Sequence, residues 1–163
     1  MKIEIMSIKR SFVLSLFAIA FLFVANSCNK CTIANTNEET GVIVKGAIIY
    51  PKSGYITSEV SSYHFNGTGN YANSFEVSFD GGQTRVPVNW GSYDILANPM
   101  SVNCKASILK DVTVDTINGI VRYNATATTC KSCEQKRYIE NYVLVPKINS
   151  GYTVWVTPKV TVQ

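Results

Sequence analysis

YTVWVTPKVTVQ, residues 152–163, decides the fold class. Tyr152, Val154, Val156, Pro158, Val160 and Val162 fall on one side of an extended chain, with Thr153, Trp155, Thr157, Lys159, Thr161 and Gln163 on the other. Period two marks a strand, because successive Cβ atoms of a pleated chain point to opposite faces. Pro158 has no N–H to give to a ladder, so the pattern predicts a strand at the edge of its sheet.

The same pattern recurs toward the amino terminus. SFEVSFD, residues 74–80, alternates Phe75, Val77 and Phe79 with polar residues, and Gly81-Gly82 supplies a turn. From Gly41 onward, β-branched and aromatic runs are separated by turn clusters such as PKSG (51–54), NGTGN (66–70) and TING (116–119). This punctuation predicts an all-β chain: an antiparallel β-sandwich of immunoglobulin-like or similar topology, with seven to nine strands. Asn118-Gly119 reads as a two-residue type I′ hairpin turn. That register sets Asp115 against Arg122, Val114 against Tyr123, Val112 against Ala125 and, farther out, Cys104 against Cys133. Lys110 intrudes on the apolar face, which leaves room for a bulge near Leu109.

The first residues have a different character. Lys2, Lys9 and Arg10 precede an apolar run from Phe12 to Val24, broken only by Ser15. Thirteen helical residues reach about 20 Å, too short for a hydrocarbon core of about 30 Å, so the run reads as an export signal. The sequence Ala25-Asn26-Ser27-Cys28 that follows resembles the lipobox of bacterial lipoproteins. The resemblance implies cleavage before Cys28, a diacylglyceryl group on its sulfur, and anchorage to a membrane through the N-terminal lipid. Asn29 is not the aspartate that some Gram-negative sorting systems read as a signal to stay on the inner membrane, so the resemblance implies the outer membrane. The expected organisation is a signal over 1–27, a lipidated cysteine and flexible tether over 28–40, and one β-sandwich domain over 41–163.

Of fifteen Lys and Arg, three precede Cys28, and of eleven Asp and Glu only Glu4 does, leaving twelve against ten. So small an excess, with no basic stripe, argues against a nucleic-acid partner. Beyond Cys28 the cysteines are Cys31, Cys104, Cys130 and Cys133. In an exported chain four cysteines allow three pairings, and the hairpin register favours a disulfide between Cys104 and Cys133, with Cys130 as the alternative partner. CKSC (130–133) also has the spacing of a redox dithiol or half a metal site. Ser132 followed by Gln135 resembles a capping box, which predicts a short helix after Cys133.

His64 is the lone histidine and reads as a half-exposed strand residue. No G-x-S-x-G or phosphate-cradling glycine loop occurs, and the carboxylates are scattered. The expectation is a chain with no catalytic residues, cofactor or metal. Trp90 and Tyr93, next to a turn in NWGSY, are the candidates for stacking on a protein or glycan ligand. Asp115-Thr116-Ile117 resembles a short acceptor motif for O-linked glycans. Together these features predict an envelope lipoprotein whose domain binds or supports rather than catalyses. The alternatives are a carbohydrate-binding or adhesin module, and a thiol-redox or metal protein built on the CxxC pair.

Overall fold

The computed structural model describes residues 33–52, 63–103, 105–131 and 135–163. Ten strands follow one another: β1 (Thr36–Gly41), β2 (Ile48–Pro51), β3 (Tyr63–Phe65), β4 (Phe75–Ser78), β5 (Val86–Pro87), β6 (Tyr93–Asn103), β7 (Ala106–Asp115), β8 (Ile120–Thr129), β9 (Lys136–Pro146) and β10 (Thr153–Val162). The one helical element among the described residues is a 3₁₀ turn at Gly69–Tyr71. The all-β, sandwich-like expectation holds, with more strands than predicted.

The strands form three sheets, ordered β1-β7-β8-β10, β2-β4-β5 and β3-β6-β9. Burial explains how they stack. Leu96, Met100 and Val102 of β6 and Val143 and Val145 of β9 pack with Ile108, Val112, Val121 and Tyr123 of the four-stranded sheet. Ile95 and Ala97 of β6 and Leu144 of β9, on the opposite face, pack with Phe65, Phe75 and Val77. The β3-β6-β9 sheet is therefore a middle layer covered on both sides. Its strands bury consecutive residues, Asp94 to Met100 in β6 and Val143 to Val145 in β9, where a half-exposed strand buries every second one.

Three sequence expectations change. The hairpin between β7 and β8 pairs Asp115 with Ile120, Val114 with Val121 and Val112 with Tyr123, a slip of two residues from the two-residue turn. The loop is the four residues 116–119, closed by Asp115, whose carboxylate accepts from the Asn118 N–H (3.1 Å) and side-chain amide (2.8 Å). These bonds hold the Asp115 carboxyl below the usual carboxylate range. Arg122 still reaches Asp115 at 3.6 Å, but diagonally, and Thr113 is its direct partner. No bulge forms at Leu109, because Lys110 turns its ammonium to Glu39 (3.4 Å) and to the Tyr142 carbonyl (3.3 Å).

Next, the helix predicted after Cys133 gives way to β9 from Lys136 onward; residues 132–134 lie outside the described residues. Pairing with β6 along its whole length overrides the local capping signal. Third, the polar segment expected as tether is a strand from Thr36 on. β1 runs parallel to β7, and its polar side chains are matched there: Thr36 with Ser107 (2.7 Å), Glu39 with Lys110, and Thr40 with Asp111 (2.7 Å). β10 is the edge strand its proline predicts, and it pairs with β8 in parallel. Both edges of this otherwise antiparallel sheet are thus parallel.

These pairings give the four-stranded sheet and the β6–β9 pair two distinct ends. At the near end are the starts of β1, β7 and β9 and the finishes of β6, β8 and β10. The far end holds the finishes of β1, β7 and β9, the starts of β6, β8 and β10, and the 116–119 loop.

Candidate functional site

The far end carries a cavity of about 230 Å³. Val114 and Val121 of the β7–β8 hairpin form one wall, and Val145 and Pro146 at the finish of β9, with Lys147, Ile148 and Asn149 after it, form another; Val42 and Tyr152 complete it. Val42 and Val114 remain 40% and 39% exposed, so its mouth is apolar surface left in water. The hairpin tip beside it is more exposed still, with Ile117 at 93%. Gly119 holds the tip against the β10 entry, since its carbonyl accepts from the Thr153 N–H (2.8 Å).

Behind one wall lies the most polar cluster of the interior. Asp94, in β6, is fully buried and accepts from Lys147 Nζ at 2.7 Å and from the Ile148 N–H at 3.1 Å. The His64 Nε2 sits 2.9 Å from the same carboxylate oxygen that accepts from Ile148. Lys147 also donates to the Asn66 carbonyl (3.1 Å). A buried carboxylate is tolerable only when paired, and here the pairing ties β3, β6 and the segment after β9 together. Lys147 and Ile148 line the cavity, so Asp94 fixes the position of that wall. Among the described residues no group of three or more His, Cys, Asp or Glu is placed to hold a metal ion. Sequence reasoning passed over Asp94, although a lone charge in the apolar run YDILANPM signals a paired, buried carboxylate.

Trp90 and Tyr93 are both partly buried against the second core cluster. The Trp90 indole N–H donates to the Ala72 carbonyl at 2.7 Å, and its ring meets Phe75 edge-on at 6.3 Å. Gly67, with φ of +79°, lies so close over the ring that a Cβ there would run into it. One polar atom and one face of Trp90 are therefore engaged by the protein itself. Tyr93 packs near Phe79, which is 52% exposed, at 6.2 Å between ring centres. Trp155 is a more open indole, 52% exposed on β10 with Arg122 5.4 Å from its ring centre.

Cys130 follows β8, is 4% exposed and is disulfide-bonded. Cys28, Cys31, Cys104 and Cys133 lie outside the described residues, as does any pairing among them. Among the described residues no helix is long and apolar enough to cross a membrane. The chain matches no family model, no curated protein and no solved structure.

Proposed function

We propose that this protein is a lipid-anchored envelope component, held to the outer membrane by Cys28, whose β domain acts by non-catalytic binding at its far end. The observation that carries the reading is the polarity of the fold: the chain enters β1 at the near end, and the apolar cavity with its exposed rim lies at the other. An anchor at Cys28 joined to the near end turns the far end outward. The cavity is apolar, and its wall is fixed by buried ionic pairing, which suits a preformed site for an aliphatic group of a partner. The carbohydrate reading draws less support, because Trp90 is already committed to Ala72 and Phe75.

Two measurements test it. Metabolic labelling with a fatty-acid analogue should mark the wild type and fail to mark Cys28→Ala; an unlabelled wild type removes the anchor. A photo-crosslinking residue placed at Ile117 should capture another protein in cells. If adducts form only from Trp155, or from neither position, binding at the far end is wrong.

A further inference from the structure

The near end differs from the far end in charge. Lys105 precedes β7, Lys131 follows β8, and Lys136 and Arg137 open β9. Their proximity follows from the register: Asn103 pairs with Lys136, Val102 with Arg137 and Ala106 with Thr129. All four side chains are exposed, and none joins an ion pair among the described residues, whereas Lys52, Lys110, Arg122 and Lys147 each have a carboxylate partner; Lys45 and Lys159 also lack one but stand apart from each other. Within two residues of this end the described strands carry one carboxylate, the exposed Glu38 of β1. Glu134, outside the described residues, is a second acidic residue in the neighbouring sequence, and four cations against these two leave the excess positive.

Apolar surface accompanies the charge. Val162, opposite Thr129, is 52% exposed and Val160 is 42% exposed. Unpaired cations beside uncovered aliphatic side chains suit an anionic lipid surface, where headgroup phosphates take the charge and the interface takes the valines.

We propose that the near end docks on a membrane surface bearing anionic phospholipids. The placement rests in part on the lipid-anchor reading. Cys28 precedes Thr36 by eight residues, which span at most about 28 Å fully extended and about 15 Å as a flexible coil. The anchor would thus deliver the basic end to the bilayer, and docking would hold the far end away from it. The chemistry of docking itself needs no acyl chain.

The test uses residues 28–163 carrying Cys28→Ser, which retain the whole compact unit Ile33–Gln163 with both its cores. Co-sedimentation is measured with vesicles of phosphatidylcholine alone and with vesicles containing phosphatidylglycerol. Binding is expected to the anionic vesicles only, and to fall as salt rises and the Debye length shrinks below about 8 Å. Each Lys→Gln or Arg→Gln change at 105, 131, 136 and 137 should weaken partitioning about fivefold, and all four on the order of 100-fold or more. Lys45→Gln, in the turn after Val44, is the control and should leave it unchanged. Equal binding to both compositions, no binding to either, or an unaffected quadruple variant with an unchanged circular dichroism spectrum overturns the proposal. Failure of fatty-acid labelling would remove the anchor and leave this result standing, so the two readings fail separately.

Discussion

Asn98 is the residue least satisfied by its surroundings. It is fully buried on the β6 face that carries Leu96 and Met100, and neither its amide nitrogen nor its oxygen has a hydrogen-bond partner. Its backbone carbonyl does better, accepting from Asn141 at 3.1 Å, and the Tyr123 hydroxyl donates to the Asn141 carbonyl at 3.1 Å. Burial, and secondarily the charge of Glu39, pushes the Tyr123 hydroxyl upward, so it stays a neutral donor. Leaving both polar atoms of a buried amide unpaired costs about 1–3 kcal/mol. Asn98→Leu, of similar volume, should raise stability by about that amount in urea denaturation; a lower midpoint would mean that the amide has a partner. Asp80 shows the opposite case. The Ser78 hydroxyl donates to its carboxylate at 2.6 Å and the Thr84 N–H at 2.9 Å, and these bonds hold its carboxyl well below the usual range. A depressed folded value stabilises above the unfolded value and is lost as pH falls through the folded one. Wild-type stability should therefore fall below about pH 4, and Asp80→Asn should flatten that fall, as urea midpoints measured down to roughly pH 2 would reveal. Asn98 could not be assigned from the sequence, because burial on a doubly covered strand leaves no alternation to betray it; Asp94 left only the signal of a lone charge in an apolar run.

At the level of elements, what could be read in advance follows from which faces are covered. The first half of β10 has one face packed, at Val154 and Val156, and one open, so its alternation declared it, and Pro158 declared its edge position. An unbroken β8–β10 ladder requires the proline nitrogen to point away from β8, onto the open edge. Pro158 and the neighbouring Lys159 thus interrupt ten residues of otherwise inviting strand edge. Pro158→Val should keep the fold and restore an outward N–H. The variant is expected to aggregate faster, as followed by thioflavin T fluorescence; an unchanged rate would mean that the edge is protected in another way. The β7–β8 register illustrates a limit of pattern reasoning. A slip of two residues returns every side chain to the same face, so apolar still meets apolar and the pattern cannot tell the two registers apart. Asp115 decides between them, because its carboxylate caps a four-residue loop. β1 stayed hidden for another reason: its partners are polar side chains of β7, and no apolar period marks it.

For the whole molecule, the all-β class was legible and the three-layer stacking was not, since layering depends on pairings far apart in sequence. The same pairings bear on the cysteines. Asn103, Lys105, Cys130, Lys131 and Gln135 flank or include the positions of Cys104, Cys130 and Cys133, and all stand at the near end. The Thr129 hydroxyl lies between the carbonyls of Asn103 and Lys105, 3.0 Å from the latter, so the chain on either side of Cys104 is held against the residue before Cys130. The observed register also withdraws the argument that set Cys104 against Cys133. With Cys130 buried and disulfide-bonded, Cys104 becomes its expected partner. Closing that loop should contribute about 2–4 kcal/mol. Peptide mapping of alkylated, non-reduced protein should recover a Cys104–Cys130 link, and reduction should lower the denaturation midpoint accordingly. Recovery of a labile Cys130–Cys133 bond would instead restore the dithiol reading and move the chemistry of this protein to the near end.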